Sequence, residues 1–241
     1  MAMKNPTYAC RTDIGRQREH NEDAVTISAE LGAGILADGM GGHNAGEVAS
    51  QMAIDMIRVI LQQTAGVPAK ERLETAVQAA HAGILEKADS SPRYKGMGTT
   101  IVVTLLEKQT LTFAHVGDSR LYRWRKGQLE QLTRDHSLQQ EFMDKGNYSA
   151  EEAARKVGRN ILTRALGLEG DFHVDVASTS VQEKDRYLLC SDGLHEMVND
   201  GDICTWLGRG FDAVTTCEAL IDMANTQGGR DNISTVLIDI P

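Results

Sequence analysis

The sequence predicts a single domain that combines helices with antiparallel β-strands. The chain has 241 residues, and one domain often extends to about 200–250 residues. Several β-type runs follow one another with only short turns between them, which implies antiparallel pairing. Helical periodicity recurs on both sides of this β-rich block, and no repeat, linker or low-complexity run divides the chain.

The first part of the chain alternates β-type runs with helical periodicity. Residues 8–12, 24–28 and 33–37 are predicted strands, because each is a short apolar or alternating run next to polar or glycine-rich residues. Residues 47–63 are a predicted helix with apolar residues at helical spacing. A second amphipathic helix has its apolar residues from 73 to 85 and ends in the segment 89–92.

The second part begins with the β-rich block and ends with helices and a last strand. Strands are predicted at 99–106, 110–116 and 121–124, with a hairpin return at 127–132. Residues 137–170 are polar, helical and poor in large apolar side chains, and we expect them to form a flap on the main body. Within them, residues 149–152 are predicted to begin a helix with a capping box. The remaining predicted elements are strands at 172–177 and 187–190, helices at 202–207 and 211–224, and a strand at 233–240.

Composition excludes several classes of protein. The net charge of −9 argues against a non-specific nucleic-acid or anionic-membrane binder, since these need a basic surface. The start of the chain lacks the apolar core of a signal peptide, and no run approaches the ~18 apolar residues of a membrane span. We therefore expect a cytoplasmic protein. The four cysteines lack paired zinc-type spacing and are predicted to be free thiols.

Four aspartates stand next to β-type runs. Three of them follow such a run at a turn and the fourth precedes one; they are Asp38, Asp118, Asp192 and Asp231. Strand ends that are distant in sequence can converge in space, and ligand sets of oxygen alone suit Mg(II) or Mn(II). An Asp-Gly turn taken alone is equally well explained as an ordinary turn. The metal hypothesis therefore rests on the four aspartates taken together.

A dense polar loop at residues 15–23 adds a second kind of chemistry. It contains Arg16 and Arg18 together with the adjacent carboxylates Glu22 and Asp23. Arginine can bind a phosphate with two parallel hydrogen bonds, and the carboxylates can contribute to a metal site. The alternative is that Arg18 only forms an ion pair with Glu22.

Six motifs in this order resemble the metal-dependent protein phosphatases of type 2C, most closely the compact bacterial branch. The resemblance covers nearly the whole chain, from about residue 8 to 240. The motifs are Arg18-Glu19-His20-Asn21-Glu22-Asp23, Ala37-Asp38-Gly39-Met40-Gly41-Gly42-His43, Gly98-Thr99-Thr100, His115-Val116-Gly117-Asp118-Ser119-Arg120, Cys190-Ser191-Asp192-Gly193-Leu194 and Gly229-Arg230-Asp231-Asn232. One departure is Glu183-Lys184, where the family often has Pro-Gly; it changes a turn and leaves the metal motifs intact.

The resemblance implies an α+β fold, a four-layer α-β-β-α sandwich. Two central antiparallel sheets would be flanked by helix pairs, with a small flap subdomain at 137–170. Residues 1–241 would form one catalytic domain. The predicted strands and helices are compatible with this architecture but do not establish it alone.

The resemblance also implies a role for each site residue. Asp38 would bridge two metal ions, with the Gly39 carbonyl on one of them. The remaining metal-site residues would be Asp192 and Asp231 on the other ion, Asp118 with Asp192 on a third, weaker ion, and Glu22 and Asp23 as the acidic pair of the first motif. Arg18 would bind the substrate phosphate. His43 would protonate the leaving alkoxide, although it could instead be structural.

The implied function is hydrolysis of phosphoserine or phosphothreonine in proteins by attack of a metal-bridging hydroxide. The cofactors would be two Mn(II) or Mg(II) ions, with the third as an additional site. The expected partners are phosphorylated proteins, including a Ser/Thr kinase or its substrates, and the expected state is a monomer. Two alternatives stay open: a pseudophosphatase that binds phosphoproteins, and a metal-dependent hydrolase of small phosphate esters. The first should have lost metal aspartates, whereas all four are present.

Overall fold

Eleven strands of the described chain form two antiparallel sheets that pack face to face. The structure is a computed structural model and describes residues 5–41, 45–146, 148–157, 161–170 and 172–241. The strands in chain order are β1 (Thr7–Asp13), β2 (Asp23–Ser28), β3 (Ala33–Met40), β4 (Gly98–Thr99), β5 (Ile101–Glu107), β6 (Thr110–Val116), β7 (Arg120–Arg125), β8 (Gln128–Gln131), β9 (Asp175–Ser180), β10 (Arg186–Cys190) and β11 (Ile233–Asp239). One sheet has the order β1-β11-β10-β7-β8 and the other β2-β3-β5-β6-β9, with β4 paired to β3.

Seven α-helices of the described residues cover the outer faces of the sheets or lie in the segment 137–170, which we call the flap. They are α1 (Ala45–Gln63), α2 (Ala69–Asp89), α3 (Leu138–Asp144), α4 (Ala150–Val157), α5 (Asp192–His195), α6 (Asp200–Leu207) and α7 (Ala213–Thr226). α1 and α2 pack on the sheet that contains β3, and α5, α6 and α7 pack on the sheet that contains β11. Along the described part of the chain, no helix is both long and apolar enough to cross a bilayer.

The alternation of side chains along the strands builds the layers. In β3, Ile35 packs under α1 and α2, whereas Leu36 points into the space between the sheets. In β10, Leu188 packs against the opposite helices, whereas Leu189 lies between the sheets. Successive side chains of a strand point to opposite faces, so strands with apolar residues on both faces must be covered on both sides. The predicted four-layer α-β-β-α sandwich is confirmed.

Local signals fix the helix boundaries. The side chains of Asn199 and Asp212 accept hydrogen bonds from the backbone N–H three residues on and cap α6 and α7, as short polar side chains do at helix starts. In the flap, Ser149 and Glu152 exchange hydrogen bonds with each other's backbone N–H groups. This capping box was predicted from the sequence.

Two predicted strands differ from the structure by three residues, and a third, predicted at 99–106, is divided into β4 and β5. The strand predicted to end at residue 37 continues to Met40, because β4 pairs with its last residues. The strand predicted at 172–177 is β9, three residues later in the chain. Phe172 is not part of it, because its ring stacks on His81 of α2 with 3.6 Å between ring centroids.

Candidate active site

The predicted site residues converge at one end of the sandwich. Asp38 lies near the end of β3, and Asp23 at the start of β2 is its direct partner across the strand pair. From the other sheet, Asp192 follows β10 directly, and Asp231 lies two residues before β11. Asp118 occupies the turn through which the chain passes from β6 in one sheet to β7 in the other. Both sheets therefore contribute carboxylates to the same region.

These carboxylates line a shared cleft of about 220 Å³. Its described lining consists of Arg18, Glu22, Asp38, Gly39, Met40, Gly41, Thr100, Asp118, Leu162, Asp192, Asp231 and Asn232. Seven of the predicted site residues are in this set. Of the other two, Asp23 is buried behind the cleft, and His43 lies outside the described residues.

Two threonines hold the backbone of Asp38. The N–H of Asp38 donates to Oγ1 of Thr100 at 3.1 Å, and the Asp38 carbonyl accepts from Oγ1 of Thr99 at 2.9 Å. The N–H of Thr100 also donates to that carbonyl, at 2.9 Å. Since all three donors and acceptors are buried or partly buried, the position of Asp38 is set from the neighbouring chain. Both threonines belong to the strand predicted at residues 99–106.

Close backbone packing explains Gly39. A Cβ at this position would lie 2.3 Å from the Gly46 carbonyl oxygen and 2.5 Å from that of Glu22. The N–H of Gly39 donates to the same Glu22 oxygen at 3.1 Å. Only glycine permits this approach, and the result places the first turn of α1 directly against the cleft.

Asn232 connects the polar loop to the site, and it was not predicted to have a role there. Its side-chain amide donates to the carbonyls of Ile14 and His20, and its Oδ1 accepts from the N–H of Glu22 at 2.8 Å. An asparagine buried at the start of an apolar strand must satisfy its amide, and this was the available signal in the sequence. The contacts fix the loop that carries Arg18.

Arg18 pairs with Asp231 and not with Glu22. Its Nη2 donates to Oδ2 of Asp231 at 2.6 Å, and the guanidinium is about half exposed at 48%. Burial alone would lower the pKa of Arg18, but the hydrogen bond to Asp231 raises it above its ordinary value. Arg18 is the only cationic side chain among the described residues of the cleft lining, so it carries the positive charge available to a phosphate there.

Asp23 supports the site from behind. Its Oδ2 accepts a hydrogen bond from the hydroxyl of Ser191 at 2.9 Å, whereas Oδ1 is buried with no partner among the described atoms. Burial raises the pKa of Asp23 to about 6. A buried carboxylate oxygen without a partner fits a water or an ion beyond it.

The crowding of carboxylates sets the electrostatics of the cleft. Burial, and then the charges of Asp23 and Asp192, raise the pKa of Asp38 well above its ordinary value. Burial and the charge of Asp118 do the same to the pKa of Asp192. The pKa of Asp118 is raised to about 7 by burial and by the nearby Asp135. Like charges in a desolvated site disfavour ionisation.

Divalent cations fit this donor set. Several carboxylate oxygens face one another with a single arginine to offset them, and bound cations would favour their ionised forms. The carboxylate and carbonyl oxygens among the described lining residues are the ligands that hard ions such as Mg(II) and Mn(II) prefer. Glu22 adds a further carboxylate beside the first turn of α1; burial raises its pKa, while Arg18 and the N–H of Gly46 lower it in part.

Leu162 was not predicted to belong to the site. It lies in the flap segment after α4, yet it lines the cleft together with Met40. It offers an apolar surface beside the carboxylates. Nothing in the local sequence of the flap indicated which of its residues reaches the cleft.

Comparison with known proteins shows the family of this chain. The family model described as protein phosphatase 2C matches residues 14–237. The chain belongs to this family. The serine/threonine phosphatase stp of Listeria welshimeri is 39% identical over 236 residues, which cover 95% of this chain and 94% of that protein.

Solved structures of the family share the fold. The serine/threonine phosphatase PstP/Ppp of Mycobacterium tuberculosis has a TM-score of 0.90 at 37% identity, and 98% of each chain is covered. The catalytic domain of PstP in complex with two manganese ions has a TM-score of 0.89 at 36% identity, again with 98% of each chain covered. Family membership and the manganese complex together support divalent-metal use by this type 2C phosphatase chain.

Proposed function

We propose that this chain is a metal-dependent phosphatase that hydrolyses phosphoserine and phosphothreonine in proteins. The observation that carries the proposal is the convergence of Asp38, Asp118, Asp192 and Asp231 in one cleft, beside the cation Arg18. The relatives named above as serine/threonine phosphatases support the substrate class.

The carboxylates from the two sheets would hold the ions between them. The charges of Asp192, Asp118 and Asp231 all raise the pKa of Asp38. Asp38 is therefore our candidate for the ligand that the two core ions would share. The Gly39 carbonyl, Asp192 and Asp231 would complete the core sites, and Asp118 with Asp192 a third. Glu22 and Asp23 would act directly or through water. Bound divalent ions supply charge neutralisation for a phosphoryl group and lower the pKa of water.

Arg18 has the freedom and the charge to bind the substrate phosphate. Its guanidinium reaches the cleft from an exposed loop and uses one terminal nitrogen on Asp231, so further N–H groups can donate to phosphate oxygens. Such donors stabilise the charge that develops on the phosphoryl group. We propose His43, outside the described residues, as the acid that protonates the leaving oxygen.

Phosphate release from a phosphothreonine peptide tests the proposal. We expect release with Mn(II), none with a chelator, and loss of nearly all turnover in Asp38→Ala. Asp55→Ala, an exposed carboxylate on α1 that is outside the cleft lining, is the matched control and should retain full turnover. Folded, metal-loaded protein that binds the peptide without releasing phosphate would favour the phosphoprotein-binding alternative.

The finer parts of the proposal concern the ions and the partners. We propose two core Mn(II) or Mg(II) ions with a third, weaker site, since both metals accept this ligand set. We also propose a signalling role in which the protein reverses a Ser/Thr kinase, acting as a cytoplasmic monomer. Activity on phosphopeptides that exceeds activity on a small ester such as p-nitrophenyl phosphate would separate this function from general ester hydrolysis.

A further inference from the structure

A second cluster of titratable side chains lies beside the turn that carries Asp118. It consists of His115 on β6, His136 before α3, and Asp175 on β9, with Arg164 of the flap next to it. The ligand atoms of His115, His136 and Asp175 lie within 4.8 Å of one another. Both histidines are buried, and their rings stack with 4.6 Å between centroids.

His136 holds Gly117 through two hydrogen bonds. The N–H of Gly117 donates to Nδ1 of His136 at 3.1 Å, and the N–H of His136 donates to the Gly117 carbonyl at 2.9 Å. The other ring nitrogen, Nε2, lies 3.1 Å from Oδ2 of Asp175. The ring therefore connects a carboxylate on β9 to the backbone of the residue directly before Asp118.

These partners determine the tautomer of His136. A backbone N–H can only donate, so Nδ1 must present its lone pair to Gly117. The neutral ring then carries its proton on Nε2, which donates to Asp175. Burial and the neighbouring His115 lower the pKa of His136 to about 4, in agreement with a neutral ring. Asp175 thus selects the tautomer that can accept from Gly117.

These hydrogen bonds leave the cluster without the free ligand atoms that a metal site needs. Both nitrogens of His136 are in use, and coordination through Nε2 would require loss of its remaining proton. Nε2 of His115 is 3.0 Å from the Arg134 carbonyl, to which it must donate. Arg164 places a positive charge on Asp175 at 3.1 Å. Only Nδ1 of His115 offers a lone pair without a partner in the described chain, and one free donor does not make a metal site.

The backbone of Gly117 has a conformation that needs this support. Its φ is +107°, and a Cβ there would lie 2.6 Å from Cβ of Thr100. Thr100 is the residue that accepts from the N–H of Asp38. The turn before Asp118 is therefore held between the threonine that positions Asp38 on one side and His136 on the other.

We propose that Asp175 and His136 form a positioning relay that holds the Gly117–Asp118 turn and so sets the affinity of the cleft for its weakest cation. The inference rests on the proposed function, because it takes Asp118 as a cation ligand. His136 and Asp175 do not line the cleft, so they are positioning residues.

The relay also connects the flap to the site. The N–H of Thr163 donates to the His136 carbonyl at 2.9 Å, and Arg164 pairs with Asp175. Leu162, directly before these residues, lines the cleft. The part of the flap that contacts the cleft is thus bound to the same two residues, His136 and Asp175, that hold Gly117 beside Asp118.

Substitutions at His136 test which of its contacts matters. Asn places an acceptor near the position of Nδ1 and keeps the side-chain hydrogen bond from the N–H of Gly117, whereas Ala removes this bond. We expect H136A to raise the Mn(II) concentration for half-maximal phosphopeptide turnover about tenfold, the lower range for loss of a partner that orients a metal ligand. Turnover at saturating Mn(II) should stay near that of the wild type, and H136N should stay within about threefold on both measures.

The matched control is His173→Ala. His173 also approaches Asp175, at 4.0 Å, but it is exposed at 58% and has no hydrogen bond to Gly117 among the described contacts. Its removal should leave the Mn(II) response unchanged. If H136A does not fold, D175N and D175L provide the second comparison, since Asn still accepts from Nε2 and Leu does not; only D175L should weaken Mn(II) activation.

Direct Mn(II) binding, followed by electron paramagnetic resonance of the free ion, separates this inference from the proposed function. We expect H136A to weaken only the weakest class of bound Mn(II). Equal binding by wild type and H136A, or H136N as impaired as H136A, would overturn the relay. Wild-type protein that binds Mn(II) but releases no phosphate would instead refute the proposed function, while the binding comparison still tests the relay.

Discussion

Replacement of Asp118 by Asn should stabilise the metal-free protein at neutral and alkaline pH. Asp118 is 8% exposed, and its pKa is raised from 3.8 to about 7 by burial and the nearby Asp135. In the unfolded chain the same carboxyl ionises at its ordinary value. Ionisation of Asp118 therefore lowers the free energy of unfolding. Asn removes the charge and keeps nearly the same shape.

The sign and size follow from proton linkage. Because the pKa of Asp118 is higher in the folded state, its protonated form contributes fully to stability below pH 3.8. This contribution is lost as the pH rises through about 7. Each pH unit between the two values is worth about 1.36 kcal/mol, so the ionised group costs at most about 4 kcal/mol at pH 8. At pH 4 the cost falls below about 1 kcal/mol. Asp118→Asn should therefore gain stability at pH 8 and almost none at pH 4.

Urea unfolding followed by circular dichroism, with a chelator present, measures this difference. Asp55→Asn on the exposed surface of α1 is the control and should stay within about 0.5 kcal/mol of the wild type at both pH values. Added Mn(II) should reverse the order, because an ion that binds only the folded state stabilises it by about 2.7 kcal/mol at 100 times its dissociation constant. Parallel pH profiles of wild type and Asp118→Asn without metal would refute the electrostatic reasoning.

Three further substitutions test separate parts of the structure. Arg18→Lys keeps the charge but loses the planar guanidinium, so KM for a phosphopeptide should rise about tenfold with a smaller change in kcat. Steady-state kinetics measures both values, and an unchanged KM would contradict the phosphate-binding role of Arg18. Lys184 has a φ of +67°, and Lys184→Gly should raise stability by about 0.5–1 kcal/mol, seen as a higher Tm in a thermal melt; a lower Tm would contradict the strain. Leu162→Ala should raise KM for a phosphopeptide about three- to tenfold and leave p-nitrophenyl phosphate kinetics unchanged, and equal effects on both substrates would argue against a peptide contact.

Much of the fold was predictable because period and turn chemistry are local. The continuous apolar runs at residues 33–37 and 187–190 predicted buried strands, and the aspartates that follow these runs lie at one end of the sandwich in the structure. The capping box at Ser149 predicted the start of α4. These signals depend on near neighbours in the chain, and tertiary contacts do not override them here.

The parts that sequence did not predict depend on contacts between distant residues. The pairing of Asp23 with Asp38 follows from the β2–β3 register. The alternation of side chains alone does not distinguish registers that differ by two residues. Asp175 lies 39 residues from His136, so no spacing rule joins them. Phe172 fits a strand by composition, but its stacking on His81 takes it out of β9. In each case the partner, and not the residue itself, decides the outcome.

The distribution of the carboxylates between the two sheets couples metal binding to the packing of the interior. Asp38 comes from one sheet and Asp192 from the other, so the distance between them is set by the apolar layer in which Leu36 and Leu189 lie. Because this interior is close-packed, the two sheets cannot easily shift relative to each other. Their packing can therefore keep carboxylates that repel each other close together without a cation. The repulsion appears as the raised pKa of Asp38 and Asp192. Bound cations would relieve this repulsion, and the carboxylates are already close together before a metal binds. Both effects would increase the affinity of the cleft for cations.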